Sequence, residues 1–243
     1  EDGNASIAGE LGAKYNAIEQ AREAEPLFGY QADPKIRTLL QRLRAAVARP
    51  QNIVEVQWSL GQIASGAEKI DAKSPYRARA FSEAAAICLN PKKKLDSKIG
   101  SIAEGYLRKA IDLHERALET KIGETSETSL EVVHFRDLQS DILLLADYYA
   151  KNKETAKQEE LLKRGLAVAE RLLGENHPAL AGPLRQLANY YYGVNNKDQI
   201  KRLAEGAAKD DSRLDAAIAL GEREMAIYEK AFGASDPILL NTV

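Results

Sequence analysis

The sequence predicts an all-α fold, an α-α superhelix of antiparallel helix pairs with irregular or inserted repeats. Three observations carry that expectation. Helical apolar periodicity runs almost unbroken along the 243 residues, and no β-branched run of strand character interrupts it. Pro26/Gly29, Pro34, Pro50, Pro75, Pro91, Gly123, Gly174–Pro178 and Gly233–Pro237 separate the periodic segments. One hydrophobic frame also recurs forty-two residues on: Leu138, Ile142, Leu145, Ala146 and Tyr149 return as Leu180, Leu184, Leu187, Ala188 and Tyr191. Both sets are spaced i, i+4, i+7, i+8, i+11, which is one face of a helix. A helical period of that length marks an array in which each unit buries its face on the next.

Punctuation by Pro and Gly divides the chain into helices over 5–25, 35–49, 51–71, 75–89, 97–121, 128–151, 154–173, 178–192, 197–208 and 211–232, with a stub from 237. A partner frame links three of them. The segment 161–173 (Leu161, Leu162, Gly165, Leu166, Leu172, Leu173) is matched at an offset of 55 by 106–118 and at 59 by 220–232. Small residues at Ala110 and Gly165 admit close helix approach, and Leu107, Leu162, Ile111, Leu166 and Met225 fill the space between layers. Glu224 suits tight packing less well, so the third copy is expected to be irregular. The two offsets exceed forty-two by 13 and 17, which places insertions around 119–137 and 193–213, as loops or lengthened helices.

Composition excludes several classes of function. Lys and Arg total 34 against 36 Asp and Glu, so no basic excess points to nucleic acid or an anionic membrane surface. No apolar run approaches the ~20 residues that span a bilayer, so no membrane insertion is expected. A single cysteine, Cys88, excludes an internal disulfide framework and reads as a small buried apolar residue. His114, His134 and His177 show no metal-ligand spacing, and no phosphate loop, serine elbow or paired-carboxylate motif appears. The expectation is a non-enzyme without cofactor. The triple lysine at 92–94 reads as a solvated turn, and His177 as a structural residue at a helix start. The chain opens Glu1-Asp2-Gly3 without a Met, which suggests that a secretion signal or another part of a longer protein precedes it; the compartment, cytoplasmic or periplasmic/secreted, stays open.

The stretch Gly165-Leu166-Ala167-Val168-Ala169-Glu170-Arg171-Leu172-Leu173-Gly174, followed by His177-Pro178, Leu184, Leu187-Ala188 and Tyr190-Tyr191, resembles a kinesin-light-chain-type tetratricopeptide repeat, a variant found in bacterial as well as animal proteins. The junction Gly-x-x-[His/Asp]-Pro recurs as Gly233-Ala234-Ser235-Asp236-Pro237. Gly174 and Gly233 suit a left-handed helix end, Pro178 and Pro237 the first turn of the next helix, and Asp236 its cap. The copy at Gly123-Glu124-Thr125-Ser126-Glu127 lacks the His-Pro, and Trp58-Ser59-Leu60-Gly61 is one residue short of the repeat's Trp-x-x-Leu-Gly. The resemblance covers about residues 100–243. It divides the chain into 1–95, divergent helical repeats or a helical cap, and 96–243, a repeat array truncated at its C-terminal end.

The resemblance implies a scaffold that binds another protein or an extended peptide along a concave face lined by the first helix of each repeat. On the frame, the groove-facing positions are Leu143, Asp147, Ala150 and Lys151, and Arg185, Asn189 and Tyr192. Of these, Asp147, Lys151, Arg185, Asn189 and Tyr192 are the partner-binding candidates. Arg185 and Asn189 offer directed donors to a peptide backbone or carboxylate. Tyr149 and Tyr191 belong to the core, whereas Tyr192, off the frame, suits an interaction anchor. Alternative expectations are self-assembly into a homo-oligomer through the array ends, since 238–243 begin a helix without a partner, and a regulatory segment of a larger protein.

Overall fold

A computed structural model describes residues 33–49, 52–71, 74–89, 96–119, 129–204 and 211–233. They form eight α-helices and one 3-10 turn, with no strand among the described residues. The helix expected over 5–25, the turn at 92–94, the Gly123 junction and the stub from 237 lie outside them.

The described residues from 33 to 158 form one compact unit. Helix α1 (Pro34–Val47) starts where Asp33 Oδ1 accepts from the Lys35 N–H at 2.9 Å and Pro34 occupies the first turn. It buries Ile36, Leu40, Leu43 and Val47, a stripe at i, i+4, i+7, i+11. Helix α2 (Ile53–Ala67) buries Val56, Leu60, Ile63 and Ala67 at the same spacing. Helix α3 (Pro75–Cys88), rich in alanine, buries Ala78, Phe81, Ala84, Ala85 and Cys88. Helix α4 (Ser97–Glu119) buries Ile99, Ala103, Leu107, Ala110, Ile111 and Leu118 together with His114. Helix α5 (Ser129–Lys151) buries the whole frame of Leu138, Ile142, Leu145, Ala146 and Tyr149. Each helix packs on the next and on the next but one, so α1 meets α3, α2 meets α4 and α3 meets α5. That is stacking of successive pairs.

Side chains fix the directions. Arg79 meets Asp137 and Ser82 meets Asp141, so α3 and α5 run parallel. Helix α4 runs against α5: Glu104 accepts from Tyr149 near one end, and His114 meets His134 near the other. Gly100 permits the close approach, because a Cβ there would meet the Tyr148 hydroxyl at 3.0 Å.

The second compact unit holds the described residues from Glu159 on. Its boundary falls within helix α6 (Thr155–Leu173), whose face Leu161, Leu162, Gly165, Leu166, Val168 and Ala169 is buried. Gly174 then takes φ +81°, the left-handed value expected of a helix end. Pro178 opens a 3-10 turn (Pro178–Leu180) that leads into helix α7 (Ala181–Ala204), and helix α8 (Ser212–Phe232) packs on α7 and on the turn. Gly233, at φ +87°, ends α8 as expected.

Three sequence expectations change here. The helices at 178–192 and 197–208 are one continuous α7, so this insertion is a lengthened helix. Gly193 and Asn195-Asn196 each cost a helix only up to about 1 kcal/mol, and with no proline past Pro183 in the first turn the backbone ladder continues. In α7 the buried tyrosine is Tyr190, at 7% exposure, while Tyr191 is half-buried. The buried stripe runs Leu180, Pro183, Leu184, Leu187, Tyr190 and turns away from Ala188, which is half-buried. Glu224, expected to disturb packing, is buried and held by Arg185.

Candidate binding face

The groove positions read from the frame lie on exposed helix surface. On α5, Leu143, Asp147, Ala150 and Lys151 are all exposed, and their spacing of i, i+4, i+7, i+8 makes them one stripe. Leu143 is an apolar member of that stripe, 39% exposed. On α7, Arg185, Asn189 and Tyr192 form the equivalent stripe, also exposed, with Tyr192 the most prominent aromatic at 55%. The two stripes belong to different compact units, and each stands by itself.

Arg185 differs from its companions. Its guanidinium donates through Nε to Glu224 Oε1 at 2.9 Å and through Nη2 to the same oxygen. This contact, first of all, raises the Arg185 pKa further. Arg185 therefore ties α7 to α8, and Asn189 and Tyr192 are the members of the α7 stripe with no such bond among the described contacts.

Polar groups near the α5 stripe tie α5 to α3, and α3 to α1. Asp137 on α5 accepts from Arg79 of α3, with the Nη2 donor at 3.2 Å, and from Arg136 Nη2 at 3.1 Å. Arg79 and Asp137 are each 14% exposed, dry enough for the pair to hold both helices in register. Arg44 of α1 lies 3.8 Å from Glu83 of α3, an exposed contact of small energetic weight.

The tyrosines are anchored rather than loose. Tyr149 donates to Glu104 Oε1 at 2.8 Å, and burial followed by that carboxylate raises its pKa. In α7, Tyr191 donates to Glu159 Oε1 at 3.0 Å and Tyr190 to Oε2 at 3.3 Å. Burial pushes the Tyr190 hydroxyl up to about 12. Lys163, the first cause, holds Glu159 below the usual carboxylate range.

Cys88 has no exposure, and burial pushes its thiol up to about 12, so it packs as a small apolar residue. His177 is a cap: its Nδ1 accepts from the Ala179 N–H at 3.1 Å. The pairing of His114 with His134 was invisible to spacing rules, since the two lie twenty residues apart on different helices. Among the described residues no group of three or more His, Cys, Asp or Glu is arranged to hold a metal ion, and no helix is long and apolar enough to cross a membrane.

Residues 143–179 match the family model described as Tetratricopeptide repeat. The match runs from the exposed stripe of α5 through all of α6 into the 3-10 turn. No curated protein matches the chain. The chain thus carries a tetratricopeptide-type unit within an all-α helical repeat architecture, a type of unit that serves protein–protein interaction.

Proposed function

We propose that this chain is a non-enzymatic scaffold that binds an extended segment of a partner protein on the exposed first-helix face of a repeat. The observation that carries the reading is the exposed stripe Leu143, Asp147, Ala150, Lys151 on the first helix of the repeat matched over 143–179. Its mixture of an apolar residue, an acid and a base suits a peptide that offers both side chains and backbone groups. On α7, Asn189 can engage a peptide backbone in both senses, and Tyr192 supplies a rigid anchor. We also infer that α1/α2 and α3/α4 are two earlier pairs of the same array. The packing of each helix on the next and next but one supports this. The likeness to kinesin-light-chain-type repeats belongs to this reading, supported by the Gly174-to-Pro178 junction.

Selection of a peptide from a random display library, followed by titration, tests the reading. Asp147→Ala/Lys151→Ala is expected to weaken a peptide selected on the α5 stripe, and Asn189→Ala/Tyr192→Ala one selected on the α7 stripe, each about tenfold or more while leaving helicity intact. Unchanged affinity in both variants would overturn it.

A further inference from the structure

His114 on α4 and His134 on α5 form a buried pair that the binding face does not use. Their Nδ1 atoms are 2.8 Å apart and their rings stand edge to face. His114 has no exposure and His134 only 3%. A nitrogen–nitrogen contact of this length is a hydrogen bond only if one ring carries a proton on Nδ1 and the other does not. The second nitrogen of His114, Nε2, is buried without a hydrogen-bond partner and lies 3.7 Å from Asp141 Oδ2. Asp141 Oδ2 in turn lies 2.6 Å from Ser82 Oγ of α3. Three helices meet at this cluster.

Proton counting limits what the pair can hold. One added proton gives an imidazolium that still donates to the bare Nδ1 of its neighbour. A second sets two N–H groups against each other at hydrogen-bond distance and two positive charges in a buried site. In the unfolded chain both rings accept protons independently near the ordinary histidine value of about 6.5.

We propose that the His114–His134 pair is an acid-sensitive joint between α4 and α5, closed by one shared Nδ1 proton and opened when both rings become charged. The groups facing it are known. From α5 come Asp137 and Asp141, with Arg136 bound to Asp137; from α3 comes Arg79, also on Asp137, with Ser82 on Asp141. Just past the end of α2, Glu68 is held by Lys109 of α4, more than one turn from His114. Asp112 and Glu115 flank His114 on its own helix.

Burial first, and the neighbouring His134 second, lower the His114 pKa to about 3. Its contribution to stability is therefore complete above about 6.5 and is lost as pH falls towards 3, because the unfolded chain then holds a proton that the folded chain lacks. Asp141 works in the opposite sense. Burial raises it to about 7, so below that pH the folded chain holds a proton that the unfolded chain, at about 3.9, does not. The carboxyl thus offsets part of the acid sensitivity of the imidazoles.

Asp141→Asn removes the offset while keeping a group able to bond Ser82. Urea unfolding of this variant between pH 7.5 and 5.0 is expected to show an unfolding constant that rises up to about tenfold per pH unit below 6.5 for each ring held neutral. A flat profile would overturn the joint. Nitrogen-15 spectra of the unmutated chain decide the matter independently of any variant. With three histidines in all, and His177 as reference, one ring of the pair should carry its proton on Nδ1 at pH 7, and His114 should stay neutral at pH 5. Two imidazolium signals from the pair in the folded protein at pH 5 would overturn the proposal.

Discussion

Helices α5 and α7 carry the same frame forty-two residues apart, yet they use it differently. In α5 the second tyrosine of the pair, Tyr149, is buried and bonds Glu104, while Tyr148 is half-buried. In α7 the order reverses: Tyr190 is buried and Tyr191 half-buried, both on Glu159. The off-frame position after the second frame residue is an exposed leucine in α5, Leu143, and an arginine in α7, Arg185, bound to the buried Glu224. Asp141 in α5, buried on Ser82, stands where α7 has Pro183. A shared apolar spacing fixes which helix face is covered to within about one residue. The polar groups of the neighbouring helix then decide the rest.

The shared part of the frame should respond alike in both helices. Leu145→Ala and Leu187→Ala, at 1% and 4% exposure, are each expected to cost about 2–5 kcal/mol in chemical denaturation. A loss confined to one helix would show that the second copy is a repeat in sequence only.

At the off-frame position the two copies should part. Arg185→Ala leaves the Glu224 carboxylate buried without its guanidinium, a loss of about 1–3 kcal/mol because Arg185 is itself half exposed. Leu143→Ala, on open surface, should change stability by no more than about 0.5 kcal/mol. Equal effects from the two would remove the distinction between a tie and a surface residue.

The tyrosines give the smallest contrast. Tyr149→Phe loses a buried hydrogen bond to Glu104, about 1 kcal/mol. Tyr191→Phe should cost less, since Glu159 retains Lys163 and Tyr190 as donors. Thermal melts of the two variants side by side check the order.

The features legible in the sequence are those governed by local rules. The apolar stripe of α5, the left-handed glycines Gly174 and Gly233 and the structural place of His177 at a helix start follow from period, backbone freedom and helix-end chemistry. What escaped depends on partners far along the chain. The continuity of α7 past Gly193 follows from an unbroken backbone ladder rather than from propensity. The burial of Tyr190 follows from a stripe turned towards Pro183 and Leu187. The His114–His134 pair joins two helices through a segment whose length gives no motif. The exposed stripes were legible because the frame, once placed, leaves only one side of each helix uncovered.

Photo-crosslinking tests the central claim of a partner-binding face most directly. A photoreactive amino acid is placed at Asp147, at Asn189 or, as a control, at Gln62, an exposed residue of the second helix α2. A peptide selected on each stripe is then added and irradiated. The account predicts covalent adducts from position 147 with the α5-selected peptide and from 189 with the α7-selected peptide, and none from 62; adducts from 62 alone would contradict it.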